Sequence, residues 1–169
     1  MKKGFPVRSA FTLMEVLISM TILAVLMAAV AVAFDASMKN YKDNQALAKQ
    51  INGARAALLR ITNDIRTARE VVADSDTAEC SIDQNGDGLA DITYRFDGNQ
   101  KALYMDIYSS GSTSSYVLCR NVSELAFVRG MVPGQPSLVR NVRITMTVTD
   151  ESGQTSKKLA AAAVVRRNL

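Results

Sequence analysis

The sequence predicts an α+β fold: a long N-terminal helix, half transmembrane and half amphipathic, packed on a C-terminal antiparallel β-sheet. Three observations predict it. Between Phe11 and Phe34 only Glu15 ionises. From Leu47 to Val72 apolar residues recur at helical steps. From Asp91 onward, short runs rich in β-branched and aromatic residues replace that period.

The first run has 24 residues, about 36 Å of helix, which is enough to span a bilayer. Lys2, Lys3 and Arg8 precede it, with no acid among them. That bias keeps the N-terminus cytoplasmic and sends the rest across. The run exceeds the apolar core of a secretory signal peptide, roughly 7–15 residues. Topology alone therefore suggests an uncleaved signal anchor. A carboxylate at Glu15 is costly in lipid, roughly 2.5–3.5 kcal/mol for a charge at a helix centre.

After Phe34, Leu47, Ile51, Ala54, Leu58, Ile61, Ile65, Ala68 and Val72 form one stripe, with steps alternating between 4 and 3. Arg55, Arg60, Asn63, Asp64 and Arg66 lie off it. No proline falls between residues 7 and 132, so one helix from Phe11 to Val72 is expected, with Gly53 its weakest point. "DITYRFD", "KALYMDIY", "SYVLC" and "VSELAFV" read as strands. In "NVRITMTVTD", Val142, Ile144, Met146 and Val148 share one face. "DESGQT" turns the chain into a last strand, "KKLAAAAVVRRNL". The expected organisation is a basic leader at 1–10, a transmembrane helix at 11–34, an amphipathic helix at 35–74 and an extracytoplasmic β domain at 75–169.

Composition narrows the function. The net charge of +4 includes Lys2, Lys3 and Arg8, and the rest of the chain balances 17 basic residues against 16 acidic ones. Basicity thus belongs mainly to the leader, which weakens a nucleic-acid reading. With no histidine, a Ser-His-Asp triad and a histidine zinc site are both excluded. No catalytic constellation is present, so the chain is not expected to be an enzyme.

Ala10 is followed by Phe-Thr-Leu-Met-Glu and then the apolar run. With the basic leader, this resembles the type III signal of type IV pilins and type II secretion pseudopilins. The resemblance implies cleavage between Ala10 and Phe11 by the prepilin peptidase, then N-methylation of Phe11. The family usually has Gly where this chain has Ala10, and Leu, Ile or Val where it has Met14. It also implies a role for Glu15, whose carboxylate would meet a neighbouring subunit's N-terminal amine in a filament core; a buried charge is tolerated when paired. Snorkelling to the headgroups is the plainer account of Glu15. The family's fold is a helical N-terminus with a C-terminal sheet. "ALLRITNDIRTARE", "NVSELAFV" and "AAVVRRNL" look most like J-type minor pseudopilins and PilW-type minor pilins.

Two further sites are suggested. Asp83, Asn85, Asp87 and Asp91 stand at positions 1, 3, 5 and 9 of an EF-hand-type loop, with Gly88 at 6 and the Leu89 carbonyl at 7. Position 12 is Tyr94 rather than Glu; Asp97 could complete the shell. The expectation is a structural calcium ion, against a solvated acidic turn. Cys80 and Cys119 suggest a disulfide in an oxidising compartment, against two buried thiols.

The resulting reading is a minor pilin or minor pseudopilin at or near the tip of a type IV pilus or type II secretion pseudopilus. Its partners would be other pilin subunits, the prepilin peptidase and the assembly platform. It would sit in the bacterial inner membrane, with its C-terminal domain in the periplasm. One rival is an uncleaved, membrane-anchored binding protein. The other is a DNA-uptake pilin using Lys157, Lys158, Arg166 and Arg167, whose binding would weaken steeply with salt.

Overall fold

The computed structural model describes residues 11–73, 76–109, 111–150, 153 and 155–166. Among the described residues a helix, α1 (Leu13–Thr67), is followed by eight strands. The chain divides into two compact units, residues 1–42 and 43–169. In the first, every described side chain from Phe11 to Lys42 is exposed, including Leu23, Val25 and Leu26. This stretch is long and apolar enough to cross a membrane.

In the second unit the helical stripe is buried. Ala54, Ile61 and Ile65 have no exposure, and Leu58 has 5%. Leu47 and Ile51 are half-buried. Each buried Ile or Leu contributes about 1.5–3 kcal/mol relative to exposure. Gly53 does not interrupt α1, and a Cβ there would meet nothing.

The helix stops earlier than its periodicity suggests. Ala68 still donates to the Asp64 carbonyl, but Arg69 donates to Asp83 and Val72 to Ser81. The backbone has left the helical ladder to pair as β1 (Glu70–Val71) with β2 (Glu79–Asp83). Val72 is consequently exposed, and the β domain begins before residue 75.

The expected single sheet is two antiparallel sheets. One has the order β1-β2-β3-β4-β5, with β3 at Ile92–Asp97, β4 at Ala102–Ser109 and β5 at Ser112–Arg120. The other has the order β6-β7-β8, with β6 at Val122–Val132, β7 at Gln135–Thr149 and β8 at Ser156–Val164. The break falls at Asn121, whose φ is +56°. Asparagine tolerates this left-handed conformation better than most residues, and a single such residue turns the chain out of the first sheet. Val142, Ile144, Met146 and Val148 are fully buried, as their alternation predicts. Arg129 ties β6 to the first sheet, donating to the carbonyls of Asp76 and Glu79 at 2.6 Å each.

Tyr94 fastens α1 to the sheet. Its ring is fully buried, and its hydroxyl donates to Asp64. Burial, then the Asp64 hydrogen bond and charge, hold the phenol well above its ordinary pKa, so it remains a donor at all physiological pH values.

Candidate functional site

The start of α1 has a local logic of its own. Thr12 sits just before the helix, and its Oγ1 accepts from the Glu15 amide at 3.3 Å. Thr12-Leu-Met-Glu15 thus has the spacing of a capping box, with the threonine half of the box formed. Glu15 lies in the first turn, where the positive end of the helix dipole favours a carboxylate. The sequence reading missed this cap, although Thr-x-x-Glu before an apolar run is its signal. Capping accounts for the position of Glu15 in the helix, and leaves its side chain exposed. Phe11 is also exposed, at 78%. Ala10 lies outside the described residues. Ser19 and Thr21 donate to the carbonyls of Val16 and Ile18 at 2.8 Å, so both hydroxyls are satisfied without water.

The Asp83–Asp91 loop folds around its own polar groups. The nearly buried Asp83 carboxylate accepts from the amides of Gly86 and Gly88. Asp91 Oδ2 accepts from the amides of Gln84 and Asn85. Asn85 and Asp87 each accept from the amide two residues on, and Leu89 supplies one of those amides. The Asn85 Nδ2 stands between Asp87 Oδ2 at 3.1 Å and Asp91 Oδ1 at 3.3 Å. Three side chains of the expected site, Asn85, Asp87 and Asp91, therefore meet, while Asp83 is engaged by backbone amides, and Arg69 closes the loop with a bond to the Asn85 carbonyl. Gly86 has φ +86°, and a Cβ there would come within 2.7 Å of Arg69, so only glycine fits. The Gly86 amide holds the Asp83 carboxyl below its ordinary pKa. Burial opposes this, while the Gly88 and Asn85 amides and the Arg69 charge reinforce it. Tyr94 faces the core, and Asp97 caps the next turn by accepting from the Asn99 and Gln100 amides. Among the described residues no set of three or more His, Cys, Asp or Glu side chains is placed to hold a metal ion.

The disulfide does not form in this structure. Cys80 and Cys119 are both free and buried. They lie on β2 and β5, with β3 and β4 between them. Three strand spacings are about 14 Å, twice the roughly 7 Å Cα separation a disulfide can bridge. Burial pushes the Cys80 thiol up to about 11 against the nearby charge of Arg129, and burial also raises Cys119. Both therefore stay as unreactive thiols.

The proposed basic cluster is divided. Lys157 and Lys158 open β8, while Arg166 follows its other end. The strand between is roughly 25 Å long. Arg167 lies outside the described residues. Arg166 instead lines hollows together with Arg66, Arg69 and Arg143, a grouping from α1, the connector after it, β7 and the tail after β8 that sequence order does not suggest.

No curated protein and no solved structure matches the chain. Residues 6–31 match the family model of the prokaryotic N-terminal methylation motif. That segment holds Ala10, Phe11, Glu15 and most of the apolar run. The chain therefore carries the type IV prepilin-like signal, and is pilin- or pseudopilin-like at its N-terminus.

Proposed function

We propose that this chain is a minor pilin or minor pseudopilin, a structural subunit at or near the tip of a type IV pilus or type II secretion pseudopilus. The observation that carries the reading is the methylation motif over residues 6–31 leading into a wholly exposed apolar helix. The prepilin peptidase cuts between Ala10 and Phe11 and the new amine is methylated. The helix holds the subunit in the bacterial inner membrane, with the β domain in the periplasm, until the assembly platform passes it into the filament. There Phe11–Phe34 packs against other subunits' helices, and Glu15 pairs with a neighbour's N-terminal amine. Glu15 lies about 6 Å along the helix from Phe11, close enough to the subunit terminus for such pairing.

The test separates processing from assembly. Glu15→Val is expected to be cleaved as wild type is, but to be lost from sheared filaments by about tenfold or more. Undiminished incorporation would refute the role given to Glu15.

Calcium bound at Asp83, Asn85, Asp87, the Leu89 carbonyl and Asp91 is a separable part of the proposal. Its support is the convergence of the Asp87 and Asp91 carboxylates on the Asn85 side chain. Terbium luminescence sensitised by nearby tyrosine, and lost in Asp87→Ala, would bear it out. No saturable signal would leave the loop a self-capped turn.

A further inference from the structure

Among the described residues, the outer edge of β8 is an open strand edge with little protection along most of its length. The edge strand β1 has only two residues. The pairings of β5 and β6 are broken by register shifts at Leu103/Tyr104, Val122/Glu124, Gly130/Met131 and Met131/Val132. Short strands, bulges, lysines and prolines are what normally keep an edge from pairing. By contrast, β8 pairs with β7 from Thr149↔Ser156 to Asn141↔Val164 without a shift. Lys157 and Lys158 guard its first residues only, and Leu159–Val164 has no lysine, proline or glycine. Among the described residues no strand pairs with its other side.

A groove made of two hollows lies along β8. Its first part is walled by Arg55, Leu58, Leu59 and Thr62 of α1 and floored by Leu159, Ala160 and Ala161. Its second part runs past Ala162, Ala163 and Val164 to Arg66, Arg143 and Arg166. The helix positions 55, 59, 62 and 66 share one face, so the two parts are successive stretches beside one strand. Leu59 is 65% exposed and Val164 57%, so one apolar side chain stands open in each part. The described ion pairs involve Arg60 and Arg95, and none of the groove arginines.

We propose that this groove receives an extended segment of a neighbouring subunit, which adds to β8 as a further strand. The assignment of the occupant to a subunit rests on the assembly reading. Backbone hydrogen bonds to the free edge would supply affinity, and side chains on alternate positions would supply specificity. The occupant's chemistry follows from the groove: apolar residues beside Leu59, and carboxylates at the end held by Arg66, Arg143 and Arg166. A second β8 does not fit. Paired antiparallel, it would bring Lys157, Lys158 and Arg166 of one copy against the same basic ends of the other. The neighbouring sheet is antiparallel throughout, so an antiparallel occupant places its acidic end first in sequence.

The test uses the full chain in detergent and a fluorescein-labelled peptide of two glutamates followed by alternating valine and threonine. Anisotropy is expected to show saturable binding. Leu59→Glu and Arg143→Glu, both surface changes, should each weaken it about tenfold or more, with unchanged thermal unfolding. A peptide with lysines in place of the glutamates should bind as weakly. Absence of saturable binding, equal binding by all variants, or binding of a short DNA duplex in place of the peptide would each overturn the inference. Phe11 processing is read separately by mass spectrometry. A methylated Phe11 with no peptide binding removes the groove and leaves the pilin reading. Peptide binding with an unprocessed chain keeps the groove as a peptide site and removes the subunit as its occupant.

Discussion

The two stretches of α1 both carry large apolar side chains and meet opposite fates. Leu23 is 55% exposed and Ile61 is fully buried, yet both lie in one helix. Residues 54–65 find their cover in the chain's own sheets. Residues 11–34 are exposed, an apolar surface compatible with cover by lipid or by other helices. The difference teaches that apolar surface is buried within the second unit and left open in the first.

Core truncation should break that symmetry most sharply. Ile61→Ala is expected to destabilise the domain by about 2–5 kcal/mol, whereas Leu23→Ala should change its unfolding by less than about 0.5 kcal/mol. Denaturant melts in detergent measure both. Equal effects would mean that the first stretch is packed within its own subunit. The next largest effect concerns the bolt between helix and sheet. Tyr94→Phe removes the donor to Asp64 and should cost about 1–2 kcal/mol; an unchanged melt would show that bond to be idle.

Acid should act more gently, through the loop. The Asp83 carboxyl is held below its ordinary pKa. Its stabilisation is therefore present above the unfolded value, about 3.9, and is lost as pH falls through the lower folded value. Asp83→Asn should flatten that acid limb of the stability curve, and an unaltered limb would contradict the cause given. The smallest expected effect is zero. Reducing agent should not shift the melting temperature, and denatured protein should titrate as two free thiols, Cys80 and Cys119. A drop of several degrees on reduction would place a disulfide where the strand order allows none.

Much of the fold was legible because two periods are strong. The helical stripe and the alternation in β7 each repeat over many residues, and the turn after β7 identified β8 despite its alanines. The early strands were not legible, since β1 is two residues and β2 five; only the Cys80/Ile82 alternation before an Asn-Gly turn hinted at β2. Two sheets instead of one hinge on the single residue Asn121. Counting cysteines suggested a bridge, but strand order decides their distance. The grouping of Arg66, Arg143 and Arg166 likewise exists only once α1, β7 and the tail after β8 have met. At the N-terminus the signal is legible because the motif is one contiguous stretch, residues 6–31, and needs no tertiary contact to be read.

The most direct measurement is the mass of the protein's N-terminus in native membranes. The account predicts a mature chain beginning at N-methylated Phe11. An intact chain from Met1 would contradict it, and would make the exposed helix a plain anchor.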